Sequence, residues 1–323
     1  MKLPCETKEI LAVIGPTASG KTFFSLELAK GLDGEVVSVD SRQVYRFMNV
    51  GTDKISPVIR REIPHHMIDV ADPDNVFTAA DFVSGATEAI NGILARGRTP
   101  ILAGGTPFYF NALFSGVLSD GLERWQDVRS AYESLWLAGH SGDLYEKLRS
   151  LDPVYAERIH PNDAFRVIRA LSIIEKTGRT PTWWRDTGTK TRPSFRPFFI
   201  ALYPGRENLY KKIEERVSEQ FAAGYPDEVK WLLARGYHAD LPSMRGFGYR
   251  ELAAFHAGKI SLSEAREGDI RSTKAFVRRQ MTWFRKFSPA LWYYVSCSGI
   301  PDQARNVIAL WKERHWKLRK KSN

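Results

Sequence analysis

A chain of 323 residues, 43% apolar and 26% charged, has enough material for a sizeable core and more than one structural unit. Its two cysteines, Cys5 and Cys297, exclude a disulfide framework and a four-cysteine zinc site, and they fit a reducing, cytoplasmic compartment. The net charge of +10 is concentrated at one end: residues 241–323 hold 17 Lys and Arg against 6 Asp and Glu, which points to a polyanionic partner.

No run approaches the roughly 18 apolar residues of a membrane span, and residues 10–14 are too few for a secretory leader, so no membrane partner is expected. Those residues, ILAVI, read as a short buried strand. GPTASGKT follows at 15–22, and residues 23–31 then take helical spacing with Phe24, Leu28 and Leu32 on one face. Residues 36–39 predict a second strand ending at Asp40. Thr78, with Asp81 three residues on, predicts a capped helix running to about Ala95. Residues 100–103 predict a third strand, ending in Gly104, Gly105 and Thr106.

Strands alternating with helices predict an α/β fold around a parallel sheet, whose ligand lies beyond the carboxyl ends of the strands. The glycine loop, Asp40 and Thr106 all fall at such ends. The pattern turns helical from about residue 119, a strand returns at 198–202, and everything from 207 onward reads as helix. The expected organisation is an α/β core over 1–118, a helical insertion over 119–197, and the returning strand with a basic helical region over 198–323.

GPTASGKT fits the phosphate-loop pattern G-x-x-x-x-G-K-[ST] between a strand and a helix, so the core is expected to be P-loop NTPase-like. Its residues Gly15, Pro16, Thr17, Ala18, Ser19, Gly20, Lys21 and Thr22 are the candidate diphosphate site. The glycines let backbone N–H groups meet phosphate oxygens at a helix start, Lys21 neutralises charge, and the Thr22 hydroxyl can ligate Mg²⁺. The loop recognises a diphosphate whatever it is attached to. A nucleotide-hydrolysing machine would also carry a later strand with an aspartate for Mg²⁺. Here Asp40 is the only acid at either later strand end, followed by Ser41, Arg42, Gln43 and Tyr45. It could serve as a base on an acceptor, link to Mg²⁺ or cap a helix.

Seven blocks in order carry a family resemblance: GPTASGKT, VDSRQVYRFMNVGTDK at 39–54, IPHHMIDVADP at 63–73, ILAGGTPFYFNAL at 101–113, HPNDAFRVIRAL at 160–171, RGFGYREL at 245–252 and RRQMTWFRK at 278–286. The chain resembles the bacterial tRNA dimethylallyltransferases (tRNA isopentenyltransferases). The resemblance implies transfer of a dimethylallyl group from dimethylallyl diphosphate to the N6 amine of adenosine 37, beside the anticodon, in tRNAs reading codons that begin with U. It implies Mg²⁺ as cofactor and Asp40, Thr106 and Arg129 as catalytic residues. For tRNA contact it implies Asp40, Ser41, Arg42 and Gln43; Phe165, Arg166, Val167, Ile168 and Arg169; Arg245, Gly246, Phe247, Gly248, Tyr249 and Arg250; and Arg278, Arg279, Gln280, Trp283 and Arg285. The expected partners are the tRNA anticodon stem-loop and dimethylallyl diphosphate, with the protein a monomer.

At helical spacing Ile270, Val277, Met281 and Phe284 form an apolar face beside a basic stripe of Arg271, Lys274, Arg278 and Arg285, which suits packing on one side and phosphates on the other. Ser172 stands where the family usually has glutamate, Pro107 and Phe108 replace a commoner small pair, and Phe247 is bulky for its place. His65 and His66 invite a metal reading, but adjacent side chains on extended backbone point opposite ways and no third ligand has a fitting spacing. Two other readings remain open at this stage. A small-molecule kinase would leave the basic helical end without a role, and a tRNA-binding protein without catalysis would not need Lys21, Thr22 and Asp40 together.

Overall fold

The computed structural model describes residues 8–116, 126–187, 195–295 and 299–321; Cys5 and Cys297 lie outside them. The elements in chain order are β1 (Lys8–Ile14), α1 (Lys21–Leu32), β2 (Gly34–Ser38), α2 (Pro57–Glu62), β3 (His65–His66), α3 (Ala79–Ala95), β4 (Thr99–Gly104) and α4 (Pro107–Ser115). A helical stretch follows: α5 (Gln126–Leu137), α6 (Ser141–Leu151), α7 (Pro153–Ala156), α8 (Ala164–Thr177) and α9 (Pro181–Thr187). The chain then returns through β5 (Phe195–Leu202), α10 (Arg206–Ala222), α11 (Tyr225–Ala234), α12 (Tyr249–His256), α13 (Leu262–Phe284), β6 (Ala290–Tyr293) and α14 (Ile300–Lys321). Two units result, Met1–Phe114 with Pro193–Asn323, and Ser115–Arg192.

The first unit is built on a six-stranded sheet in the order β3-β2-β4-β1-β5-β6, with every pair parallel. β1 lies inside it because ILAVI is apolar on both faces, as a strand covered by helices must be. Ile14 stands opposite Gly104 and Ser38 opposite Ala103. The segments leaving β1, β2 and β4 therefore emerge along one edge. The expected α/β class is what forms. Two strands escape sequence reading: β3 is two residues long, and β6 is four residues inside a stretch that otherwise reads as helix.

Phe24 and Leu28 of α1 pack with Leu11 and Val13 of β1, Ile101, Ile200, and Val307 and Trp311 of α14. Leu28 is fully buried, so Leu28→Ala would cost about 2–5 kcal/mol. α3 begins with a capping box in which Thr78 and Asp81 exchange hydrogen bonds with each other's backbone N–H groups. At the amino end of β2, Glu35 is buried and paired with Arg96, Arg98 and His66. Burial raises its pKa, but the Arg96 and His66 hydrogen bonds overcome this and hold it near 2. His66 Nε2 is 2.6 Å from Glu35 Oε2, whereas His65 Nδ1 meets the Ile63 carbonyl at 2.7 Å, so the two rings serve different partners.

A second cluster lies under α11, α12 and α13, where Tyr225, Val229, Leu232, Tyr249, Leu252 and Ala265 pack against Val44, Tyr45 and Met48 from the loop after β2. Glu228 ties that loop down: its carboxylate accepts from the N–H groups of Asn49 (2.8 Å), Val50 (2.7 Å) and Gly51 (3.1 Å), and from Tyr249 Oη at 2.7 Å.

The second unit has its own core of Tyr132, Leu144, Leu148, Ala156, Val167, Ile168 and Leu171. Asp152 caps α7 through the Tyr155 N–H and also accepts from the Thr182 N–H at 2.8 Å, joining α7 to α9. Ser172 donates to the Ile168 carbonyl at 2.8 Å, so its hydroxyl is satisfied within α8.

Candidate active site

A cleft of about 480 Å³ opens where the parallel strands end. Six stretches of the first unit line it: Thr17 and Lys21; Asp40, Ser41 and Arg42 with Gly51 and Thr52; Gly105 and Thr106; Arg216 of α10; Arg245–Phe247 with Arg250; and Ser272, Phe276, Arg279 and Gln280 of α13. The topology accounts for this, since only a parallel sheet sends consecutive crossovers out at the same edge.

The loop at 15–22 wraps tightly between β1 and α1. A side chain on Gly15 would stand 2.6 Å from the Leu202 carbonyl oxygen and 2.8 Å from Ser19 Oγ, so no larger residue fits. Ser19 Oγ is buried and has no hydrogen-bond partner among the described residues. A buried hydroxyl without a protein partner in a glycine loop is a candidate ligand contact. Lys21 Nζ donates to the Pro16 carbonyl at 2.6 Å. Burial pushes its pKa down to about 7, nearby Arg216 pushes the same way, and Asp40 and Asp53 oppose them.

Asp40 stands just past the end of β2, after Val39. Its Oδ1 accepts from the N–H groups of Arg42 at 2.8 Å and Gln43 at 3.2 Å, an Asx turn that fixes the carboxylate at the mouth of the cleft. Its Oδ2 has no hydrogen-bond partner among the described residues. Thr106 joins the β2 and β4 ends: its N–H donates to the Val39 carbonyl at 3.2 Å, and its Oγ1 accepts from the Ser41 N–H at 3.1 Å. The Gln43 side chain braces the loop, with Oε1 accepting from Ser38 Oγ and Nε2 donating to the Thr52 carbonyl at 3.3 Å.

Arg42 reaches the segment after α11, where Nη1 donates to the Phe247 carbonyl at 3.2 Å and the guanidinium lies 4.8 Å from the Phe247 ring centre. Bulky Phe247 thus covers an arginine and, 5.0 Å from Phe276, lines the cleft. Gly248 and Tyr249 are buried beneath it, whereas Arg245 and Arg250 are exposed. Pro107 is buried at the start of α4 and Phe108 is exposed.

On α13 the exposed side carries Arg271, Arg278, Arg279, Trp283 and, at its end, Arg285. Lys274 is half-buried and paired with Glu214. The opposite side buries Val277, Met281 and Phe284 together with the polar residues Asp269, Thr273 and Gln280.

Arg129 and the stretch 165–169 belong to the helical unit. There Arg129 pairs with Glu133 at 2.9 Å and sits 5.4 Å from the ring centre of exposed Phe165. Arg166 pairs with Asp163 at 3.0 Å, and Val167 and Ile168 are buried in that unit's core.

Sequence reasoning missed Arg216. Its Nη1 donates to Thr17 Oγ1 at 2.6 Å, setting a second cation beside Lys21. In KKIEERV it looks like one more charge on a solvated helix, and only tertiary packing turns it toward the loop.

A glycine phosphate loop, a lysine and a fixed carboxylate at the carboxyl edge of a parallel sheet define an enzyme of the phosphate-loop α/β class. The model of the IPP transferase family matches residues 43–287. A tRNA dimethylallyltransferase of Roseiflexus sp. (strain RS-1) is 42% identical over 302 residues, covering 94% of this chain and 98% of that one. Among solved structures, the full-length tRNA isopentenylpyrophosphate transferase of Bacillus halodurans is 37% identical, with TM-score 0.68 over 97% of this chain and 99% of that one. A eukaryotic dimethylallyltransferase captured in crystallographic snapshots acting on tRNA is 28% identical, with TM-score 0.73 over 86% of this chain and 70% of that one. The chain belongs to the IPP transferase family and is therefore a prenyl-type transferase. No described helix is long and apolar enough to cross a membrane.

Proposed function

We propose that the protein transfers the dimethylallyl group of dimethylallyl diphosphate to N6 of adenosine 37 in tRNAs reading codons that begin with U, releasing diphosphate. The reading rests above all on one observation: Lys21, Asp40 and Thr106, from three separate strand ends, line a single cleft. The donor's diphosphate lies on residues 15–22, where the backbone N–H groups, Ser19 Oγ, Lys21 and Arg216 meet the charge that grows on the leaving group. The amine lone pair forms the new C–N bond as the allylic C–O bond breaks, and both electrons of that bond leave with the diphosphate. Asp40 takes the N6 proton, which answers the weak nucleophilicity of an amine conjugated with the purine ring. Thr106 holds the β4 end against Ser41 beside that carboxylate.

Among the described residues no three His, Cys, Asp or Glu side chains gather as a metal site. The exposed Thr22 hydroxyl at the first turn of α1 suits Mg²⁺ brought in by the diphosphate, because this ion binds through few protein ligands and substrate phosphates. When bound there it neutralises leaving-group charge.

The acceptor is a loop nucleotide, which reaches the cleft at lower cost than one flipped from a duplex. The exposed arginines Arg245, Arg250, Arg278 and Arg279 supply phosphate contacts, and Arg129 and the 165–169 stretch of the helical unit supply others. We place the protein in the cytoplasm, as a monomer.

Purified protein with Mg²⁺, dimethylallyl diphosphate and an unmodified tRNA carrying consecutive adenosines after the anticodon should yield prenylated adenosine, detected by mass after digestion. Asp40→Ala should nearly abolish it. ATP consumption with a small acceptor and no prenylated nucleoside would replace this reading with the kinase reading.

A further inference from the structure

Gln280 lies inside the basic stretch RRQMTWFRK, yet it is only 2% exposed. It sits on the buried polar side of α13 with Asp269 and Thr273. Its Oε1 accepts from the Thr17 N–H at 3.0 Å, and its Nε2 donates to the Gly105 carbonyl. A backbone N–H must meet the amide oxygen and a carbonyl must meet the amide nitrogen, so a single orientation of the side chain satisfies both. Gly105 leaves the room this needs: a Cβ there would stand 2.7 Å from Gln280 Nε2, and 3.8 Å from Lys21 Nζ.

We propose that Gln280 is a positioning residue for the phosphate loop, its amide fixing the separation between the loop at Thr17 and the β4 end at Gly105. This rests on reading residues 15–22 as the diphosphate site. With its N–H donating to Gln280 Oε1 and its hydroxyl accepting from Arg216 Nη1, Thr17 is held from two helices. The later loop groups and Lys21 face the ligand from a frame set on one side by α13 and on the other by α10. A buried amide engaged at both ends does not read RNA directly, although its neighbours Arg278 and Arg279 are exposed.

The test is a cycle of wild type, Gln280→Met, Gly105→Ala and the double variant. Two quantities are measured: affinity for inorganic pyrophosphate with Mg²⁺ by calorimetry, and the separate KM values for dimethylallyl diphosphate and tRNA. Each single variant should weaken pyrophosphate binding about tenfold, the scale of one or two lost positioning hydrogen bonds, with the tRNA KM unchanged. The double variant should be no worse than Gln280→Met alone, because both changes act by breaking the same two amide hydrogen bonds. Gln280→Glu, which keeps the acceptor and loses the donor, should not restore affinity. A raised tRNA KM with unchanged pyrophosphate affinity overturns the proposal in favour of RNA contact. Additive losses in the double variant overturn it too. If Gln280→Met fails to fold, unchanged pyrophosphate affinity in Gly105→Ala overturns it by itself. Absence of prenyl transfer by the wild type would refute the functional reading while the pyrophosphate cycle still decides this one.

Discussion

The Nη2 atom of Arg42 lies 0.6 Å from where a Cβ on Gly246 would stand, so the arginine occupies the space of a missing side chain. The loop after β2 and the segment before α12, 205 residues apart at Arg42 and Phe247, are locked together there. Gly246→Ala should drive Arg42 off the Phe247 carbonyl and ring, costing about 1–3 kcal/mol in urea unfolding, the range of an overpacked site. In an Arg42→Ala background the same change should be close to neutral. Equal losses in both backgrounds would show that the clash is not with Arg42.

Asp40→Asn keeps an oxygen for the Arg42 and Gln43 N–H groups but removes the proton acceptor. Turnover should fall roughly a hundredfold to ten-thousandfold, the usual share of a general base. Pyrophosphate affinity should change little. Retained turnover would move the base elsewhere.

Lys21 is pushed down to about 7 by burial, with Arg216 adding to the effect. A bound diphosphate raises that value again, so affinity from this charge is full below about pH 7 and is lost as pH rises toward the value in the complex. Pyrophosphate affinity should fall between pH 7 and 9 by up to about tenfold per pH unit beyond the ligand's own titration, with proton uptake on binding. Lys21→Met shares the ligand's titration and should lack this extra slope. Identical slopes would place Lys21 outside the binding equilibrium.

Asp269 is pushed up to about 6 by burial, with Glu251 adding to the rise and the Thr273 hydroxyl, 3.1 Å away, opposing it. A carboxyl raised in the folded state favours folding fully below its unfolded value near 4, and that contribution is lost as pH rises through about 6. Relative to wild type, Asp269→Asn should gain roughly 1.4 kcal/mol of stability between pH 5 and 8 in urea titrations. A pH-independent difference would mean that Asp269 titrates normally.

The local pattern was enough for the glycine loop between β1 and α1, the capping box of Thr78 and Asp81, and the parallel character of the sheet. Each is written within a few residues, as an apolar run, a glycine spacing or a cap, and strand–helix alternation forces parallel pairing. The same alternation implied that the loop, Asp40 and Thr106 leave the sheet on one side, because parallel strands share their carboxyl edge. Strands β3 and β6 could not be read, since two and four residues are too few to show a period and their pairing comes from neighbours far along the chain.

Only the tertiary structure decided what the isolated polar residues do. Arg216 and Gln280 stand in charged helices where sequence suggests solvent or RNA, and both turn to the loop at Thr17. Glu228 looks like one more surface acid and instead holds three backbone N–H groups of the loop after β2. A helix repeats its faces every 3.6 residues and so tells which side packs, but not what it packs against. The partner of a buried polar group is set by where distant segments cross, and no local pattern carries that information.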